Sequence, residues 1–108
     1  FLFPSHSETF GNATLEAMAS GIPAVAFNYG AAREHLRNGV DGAAVDNDDA
    51  FIAAAVELAN NDSLRREMGR LAAISMQRLH PEQVARDFEA VLARIARGRK
   101  NDETAAAA

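Results

Sequence analysis

The feature that most limits the fold is a rhythm of short apolar runs, each closed by turn residues and separated from the next by a helical pattern. Phe1-Leu2-Phe3, halted by Pro4-Ser5, reads as the end of a strand buried on both faces. Ala24-Val25-Ala26-Phe27 reads as a second strand, and Gly42 to Val45 can form a third. Between the first two, Leu15, Met18, Ala19 and Ile22 follow the i, i+3, i+4, i+7 spacing of a helix with one buried stripe. Gly21 is placed to stop it, with Pro23 beyond. Ala31 to Leu36 can hold a short helix, and Asn38-Gly39 and Asp41-Gly42 are turn dipeptides around Val40. Strand, helix, strand, helix, strand in so short a span predicts parallel strands with right-handed crossovers, hence an α/β fold.

The second half changes character. Asp46 to Asp49 offers several N-caps for a helix from about Ala50 to Ala59, and Asp62-Ser63 starts another with Leu64, Met68 and Leu71 on one face. His80-Pro81 breaks the chain, and Pro81 suits the first turn of a last helix whose stripe is Val84, Phe88, Val91, Leu92 and Ile95. That stripe, like Met18 and Met68, is expected to be core. Residues 99–108 read as a disordered tail. Opening on a strand without an initiator Met, the chain reads as a fragment of a longer protein.

Composition excludes several classes. With 108 residues there is room for one small domain, and 11 Lys+Arg against 15 Asp+Glu give a net charge of -4, which argues against a nucleic-acid partner. The absence of cysteine removes disulfides, thiolate zinc and thiol nucleophiles. Asp46, Asp48 and Asp49 lack the glycine and distal glutamate of a calcium loop, and His35 and His80 lack a partner at ligand spacing, so no metal site is expected.

In parallel sheets, loops leaving the strand C-termini carry the ligand site, which directs attention to residues 4–14 and 28–32. Glu8 falls in the first of these loops and Glu16 about one turn into the following helix, whose N-terminus, preceded by Gly11, offers unpaired N–H groups and partial positive charge to an anion. Residues 1–32 contain no Lys or Arg. The carboxylates cannot face a phosphate, so they should face hydroxyls, and a carboxylate suits a vicinal diol. A ligand with a central diphosphate and hydroxyl-bearing groups at both ends, a sugar nucleotide, fits this layout. Plainer readings stand beside it: Ser5-x-x-Glu8 is a capping-box pattern, Glu16 can be a solvated helix glutamate, and Gly11 a plain turn glycine. Asn12 is a natural N-cap that would help present the N–H groups. His6 neighbours the site, though a loop histidine is more often solvated, and Tyr29 and Gly30 follow the second strand at the same sheet edge.

The run Glu8-(seven residues)-Glu16 with Phe10-Gly11-Asn12 inside it and Glu16-Ala17-Met18-Ala19-Ser20-Gly21-Ile22-Pro23-Ala24-Val25 after it closely resembles the E-x7-E region of retaining GT-B glycosyltransferases of family GT4. Asn38-Gly39-Val40-Asp41-Gly42 followed by Asp46-Asn47-Asp48 and a helix is also similar, so the resemblance covers roughly residues 1–98. It implies a Rossmann-like parallel sheet with flanking helices, part of the C-terminal lobe of a GT-B fold, with a helical C-terminal part. Residues 1–98 would be the donor-binding domain fragment. By the same resemblance Glu8 lies beside the transferred sugar, and backbone amides around Phe10, Gly11, Asn12, Ala13 and Thr14 approach sugar and diphosphate. Glu16 would bind the ribose diol. Tyr29-Gly30-Ala31 departs from the paired glycines frequent in the family.

The implied activity is retaining transfer of a hexose from a UDP- or GDP-sugar to an acceptor hydroxyl. No cofactor or metal is implied, and the acceptor glycan or lipid would be bound through an N-terminal domain outside this chain. An Arg/Lys pair that assists departure of the diphosphate would also lie before Phe1, so the fragment alone is expected to be inactive. The expected setting is cytoplasmic, with peripheral association of the full enzyme at the inner face of the membrane. A noncatalytic sugar-nucleotide-binding module and a GT-B sugar-nucleotide epimerase are the alternatives.

Overall fold

The computed structural model describes residues 1–6 and 12–107, with side chains through residue 100. The chain divides into two compact units, Phe1–Gln77 and Arg78–Ala108. The first holds β1 (Leu2–Phe3), α1 (Asn12–Ala19), β2 (Ala24–Phe27), α2 (Gly30–His35), β3 (Gly42–Val45), α3 (Asp48–Asn60) and α4 (Asp62–Met76). The strands form one parallel sheet in the order β1-β2-β3, with Leu2 opposite Val25 and Phe27 opposite Val45. The α/β class and the parallel pairing are those the sequence predicts.

Strand alternation divides the core into two faces. Ala24 and Ala26 of β2 pack with Met18 of α1, Ala32 and Leu36 at α2, and Ala72 and Met76 of α4. Val25 faces the other way and packs with Ala43, Leu58 of α3 and Met68 of α4. The helices α1 and α2 thus share one face, as successive crossovers of one hand require, and α3 covers the opposite face.

Each helix end has a local cause. Gly21, at φ +74°, closes α1: the Ile22 N–H donates to the Ala17 carbonyl and the Gly21 N–H to that of Met18, the paired bonds of a Schellman turn. Asn47 caps α3 by accepting from the Ala50 N–H at 2.9 Å, and Asn61 caps α4 by accepting from Leu64 at 3.0 Å. Arg65 reaches back to the end of α3, donating to the Leu58 carbonyl at 2.8 Å and pairing with Asp62. In α4, Gly69 is where that helix crosses the α1 turn, since a Cβ there would lie 2.1 Å from the Gly21 carbonyl oxygen.

The buried stripe of α1 differs from expectation. Thr14, Ala17 and Met18 are buried and Leu15 half-buried, whereas Ala19 is exposed and Ile22 is 47% exposed. The helix ends before Ile22, and packing on the sheet, α2 and α4 together turns the face toward Thr14.

The second unit is essentially one helix, α5 (Pro81–Ala107), entered through a short 3₁₀ turn at Gln77–Leu79. Pro81 occupies its first position, as expected, and the backbone stays helical past Gly98 through the alanine-rich end. Val84, Phe88, Val91, Leu92 and Ile95 are all exposed, which corrects their expected place in a core. Among the described residues no helix is long and apolar enough to cross a membrane.

Candidate functional site at the sheet's C-terminal edge

The C-terminal ends of β1 and β2 and the starts of α1, α2 and α3 meet at one edge of the sheet. Backbone and side chains clip this edge together. The Asn28 N–H donates to the Val45 carbonyl at 2.7 Å, Asn28 Nδ2 donates to Asp46 Oδ1 at 3.3 Å, and the Tyr29 N–H donates to the Phe27 carbonyl at 2.8 Å. The ends of β2 and β3 are therefore held in fixed relation where a ligand crevice belongs.

Of the residues singled out from the sequence, Glu8, Phe10 and Gly11 lie outside the described residues. Asn12 is the first residue of α1 itself, one position later than the cap expected for it, and is exposed together with Ala13. Thr14 is fully buried, and its hydroxyl has no hydrogen-bond partner among the described residues. Its side chain belongs to the interior. Glu16 is exposed on the middle turn of α1, and its carbonyl accepts from the Ser20 hydroxyl at 2.8 Å.

On the neighbouring loop, Tyr29 stands at the N-cap of α2 in extended conformation, half-buried, its hydroxyl buried without a partner among the described residues. Gly30 follows with φ +54°, a left-handed conformation that explains a glycine at this point. The structure brings Tyr29 and Gly30 to the same sheet edge as α1's start, as the sequence predicts.

His6 has partners that the sequence does not announce. Its ring stacks on Phe27 at 3.9 Å between centroids, Phe27 stacks on Phe51 of α3 at 5.2 Å, and His6 Nε2 lies 3.8 Å from Asp48 Oδ1. The only sequence signal for this cluster is that Phe27 shares Val25's face of β2, the face α3 covers. Beneath the edge, Asp41 is fully buried and accepts from the Arg37 N–H at 2.7 Å and from Arg37 Nε at 2.9 Å, fixing the turn into β3. Sequence reading sees there only a turn dipeptide.

The resolved pKa perturbations lie elsewhere. A hydrogen bond from Arg70 lowers the pKa of Glu67 on α4. Among the described residues no group of three His, Asp or Glu side chains is gathered as metal ligands would be. What the edge offers is the N-terminus of an eight-residue helix, an exposed carboxylate on that helix, and no Lys or Arg within residues 1–32.

Residues 1–61 match the model of the family described as glycosyl transferases group 1. The chain is 39% identical over 80 residues to a D-inositol 3-phosphate glycosyltransferase of Acidothermus cellulolyticus, covering 73% of this chain and 18% of that protein. It is 39% identical over 71 residues to the capsular polysaccharide biosynthesis glycosyltransferase CapM of Staphylococcus aureus, covering 64% of this chain and 19% of that protein. An N-acetyl-alpha-D-glucosaminyl L-malate synthase of Bacillus anthracis is 30% identical over 103 residues, 93% of this chain and 27% of that protein. The chain thus spans about a fifth to a quarter of the length of these relatives.

Proposed function

The chain belongs to the group 1 glycosyl transferases, of GT4 type, and from that premise we propose that it supplies the donor site of a retaining enzyme moving a hexose from a UDP- or GDP-sugar to an acceptor hydroxyl. The observation that carries this reading is the start of α1 at the C-terminal edge of the parallel sheet, with Glu16 exposed on the same helix. A helix N-terminus with no carboxylate in its first turn suits a diphosphate, and a carboxylate one turn further on suits the ribose diol.

In this reading the backbone amides of residues 10–14 hold the diphosphate, Glu16 binds the ribose, and Glu8 lies against the hydroxyls of the transferred sugar. His6 neighbours this site, and Tyr29 and Gly30 border the nucleotide base or the sugar. Cleavage of the anomeric C–O bond passes through an oxocarbenium-like state, and negative charge grows on the departing nucleoside diphosphate. Fixed N–H dipoles aimed at that charge stabilise the transition state more than the ground state, by about 3 kcal/mol for each strong donor. The remaining positive charge comes from an Arg/Lys pair elsewhere in the complete enzyme, which also provides the acceptor domain. The reading places that enzyme in the cytoplasm, peripheral to the inner face of the membrane where the acceptor is a lipid.

The test is Glu8→Gln in the complete enzyme. Turnover should fall about 100-fold, equivalent to about 2.7 kcal/mol of transition-state stabilisation, while affinity for the free nucleoside diphosphate stays within about twofold. Wild-type turnover in this variant rejects the role given to Glu8.

A further inference from the structure

We propose that the turn Asn38-Gly39 is a strap that closes the outer edge of β3 against a strand from a second copy of this chain. Among the described residues β3 is an edge strand, paired with β2 on one side only. Such an edge presents a row of N–H and C=O groups that another chain can extend. The inference is independent of the transferase reading.

The backbone pattern is the first argument. Along a strand of a parallel ladder, successive residues turn their N–H and C=O groups to opposite edges. The Val45 carbonyl turns inward and accepts from the Asn28 N–H at 2.7 Å. Gly42 and Ala44 therefore turn theirs outward, where the strap meets them. The Gly42 carbonyl accepts from the Gly39 N–H at 2.9 Å, and the Ala44 N–H donates to Asn38 Oδ1 at 3.1 Å. Asn38 and Gly42 form an isolated parallel bridge, so the turn imitates the first step of an added strand and takes its place.

The strap is itself held on both sides, which is the second argument. Gly39 has φ +80°, a left-handed conformation that aims its N–H back at Gly42 without the strain a side chain would bring. The Val40 N–H donates to the Arg37 carbonyl at 2.9 Å, and buried Asp41 accepts from the Arg37 N–H at 2.7 Å. Gly42 to Val45 carries neither charge nor proline, the ordinary guards of an edge. The Asn38 amide supplies the guard instead.

What lies beside the edge is the third. Ala43 and Val45 of β3 and Ala50, Ala53 and Ala54 of α3 line a groove of about 360 Å³ that the strap borders. A strand added to β3 would hydrogen-bond its backbone to the edge and send alternate side chains into this apolar groove, the combination that strand addition exploits. A second copy offers the same small, uncharged segment, so two such edges meet without like-charge repulsion.

The test uses the complete enzyme as wild type, Asn38→Ala and Asn38→Asp. Amide hydrogen exchange is resolved at Ala44 by fragmentation mass spectrometry, and sedimentation velocity is followed over a wide concentration range. In the wild type the Ala44 amide should be protected although it faces away from β2. In dilute Asn38→Ala it should exchange at least about tenfold faster, the equivalent of one lost hydrogen bond. As concentration rises this variant should form species larger than wild type, and the Ala44 amide should regain protection. Asn38→Asp keeps an acceptor of the same length, so its Ala44 amide should stay protected. Position 38 is exposed, so circular dichroism should match wild type. The proposal is overturned if the wild-type Ala44 amide is unprotected, a result that stands even where Asn38→Ala fails to fold. It is also overturned if Asn38→Ala sediments as wild type at every concentration, if it associates with Ala44 still unprotected, or if Asn38→Asp exchanges as fast as Asn38→Ala.

Discussion

Replacing Gly69 by alanine separates tertiary geometry from helix propensity, because the two act in opposite directions. In an exposed helix this change would stabilise by about 1 kcal/mol. At position 69, however, the new Cβ would lie 2.1 Å from the Gly21 carbonyl oxygen, 3.0 Å from its carbonyl carbon and 3.3 Å from Pro23 Cδ. The first two are backbone atoms of the Schellman turn that ends α1, so no side-chain rotation relieves the clash. Relief requires α4 to retreat from α1 by more than about 1 Å, loosening the packing of Ala72 and Met76 on Met18. Overpacking of this kind costs about 1–3 kcal/mol, and backbone involvement places it at the upper end. The net expectation is a loss of about 2 kcal/mol, equivalent to a fall of about 10 °C in Tm for a unit of this size. Thermal and urea unfolding followed by circular dichroism measure it. Gly98→Ala is the internal control, since a Cβ there meets nothing within 4 Å and should only increase helicity. A Gly69→Ala protein as stable as wild type, or more so, refutes the close approach of α4 to the α1 turn.

Other expectations follow from single contacts. Asp41→Ala leaves the Arg37 N–H without its acceptor and should cost about 2 kcal/mol in urea unfolding with an unchanged m value, Asp41→Asn costing less. Asn47→Ala and Asn61→Ala should each cost about 1 kcal/mol, additively, as lost N-caps. Phe27→Ala should cost about 3–4 kcal/mol, because Phe27 is buried between His6 and Phe51. The hydrogen bond from Arg70 lowers the pKa of Glu67, so its contribution is present above the ordinary carboxylate pKa and lost as pH falls through the lowered value. Carbon NMR of Arg70→Ala should show the Glu67 titration moving upward toward that ordinary value.

Local chemistry explains which parts were legible in the sequence. Gly21 predicts the end of α1, Asn47 lies within the run read as N-caps for α3, and three short apolar runs predict a parallel sheet whose strands are all present. Each of these depends on residues close in sequence. Partnership is not local. The stripe from Val84 to Ile95 has helical period, which tells which residues share a face and not whether anything covers it; here all are exposed. In α1 the same periodicity nominated Ile22, yet the Schellman turn takes it off the helix. The cluster at His6 needed the register of β1 against β2 and the placement of α3, neither of which is encoded near His6. Glu16 is exposed on α1, which is the ordinary state of a helix glutamate, so its role too rests on the resemblance and on the proposal. Glu8, Phe10 and Gly11 fall outside the described residues, so their roles rest on the resemblance and on the proposal built from it.

Isothermal titration of nucleoside diphosphates into the complete enzyme, as wild type, Glu16→Ala and Glu8→Gln, tests the central claim most directly. The account predicts that UDP or GDP binds the wild type and that Glu16→Ala weakens it at least about tenfold, the loss of a charge-assisted hydrogen bond to the ribose. Glu8→Gln should leave it unchanged within about twofold. Affinity unaffected by Glu16→Ala, or no binding of either nucleotide to the wild type, would contradict the assignment of this sheet edge as a sugar-nucleotide site.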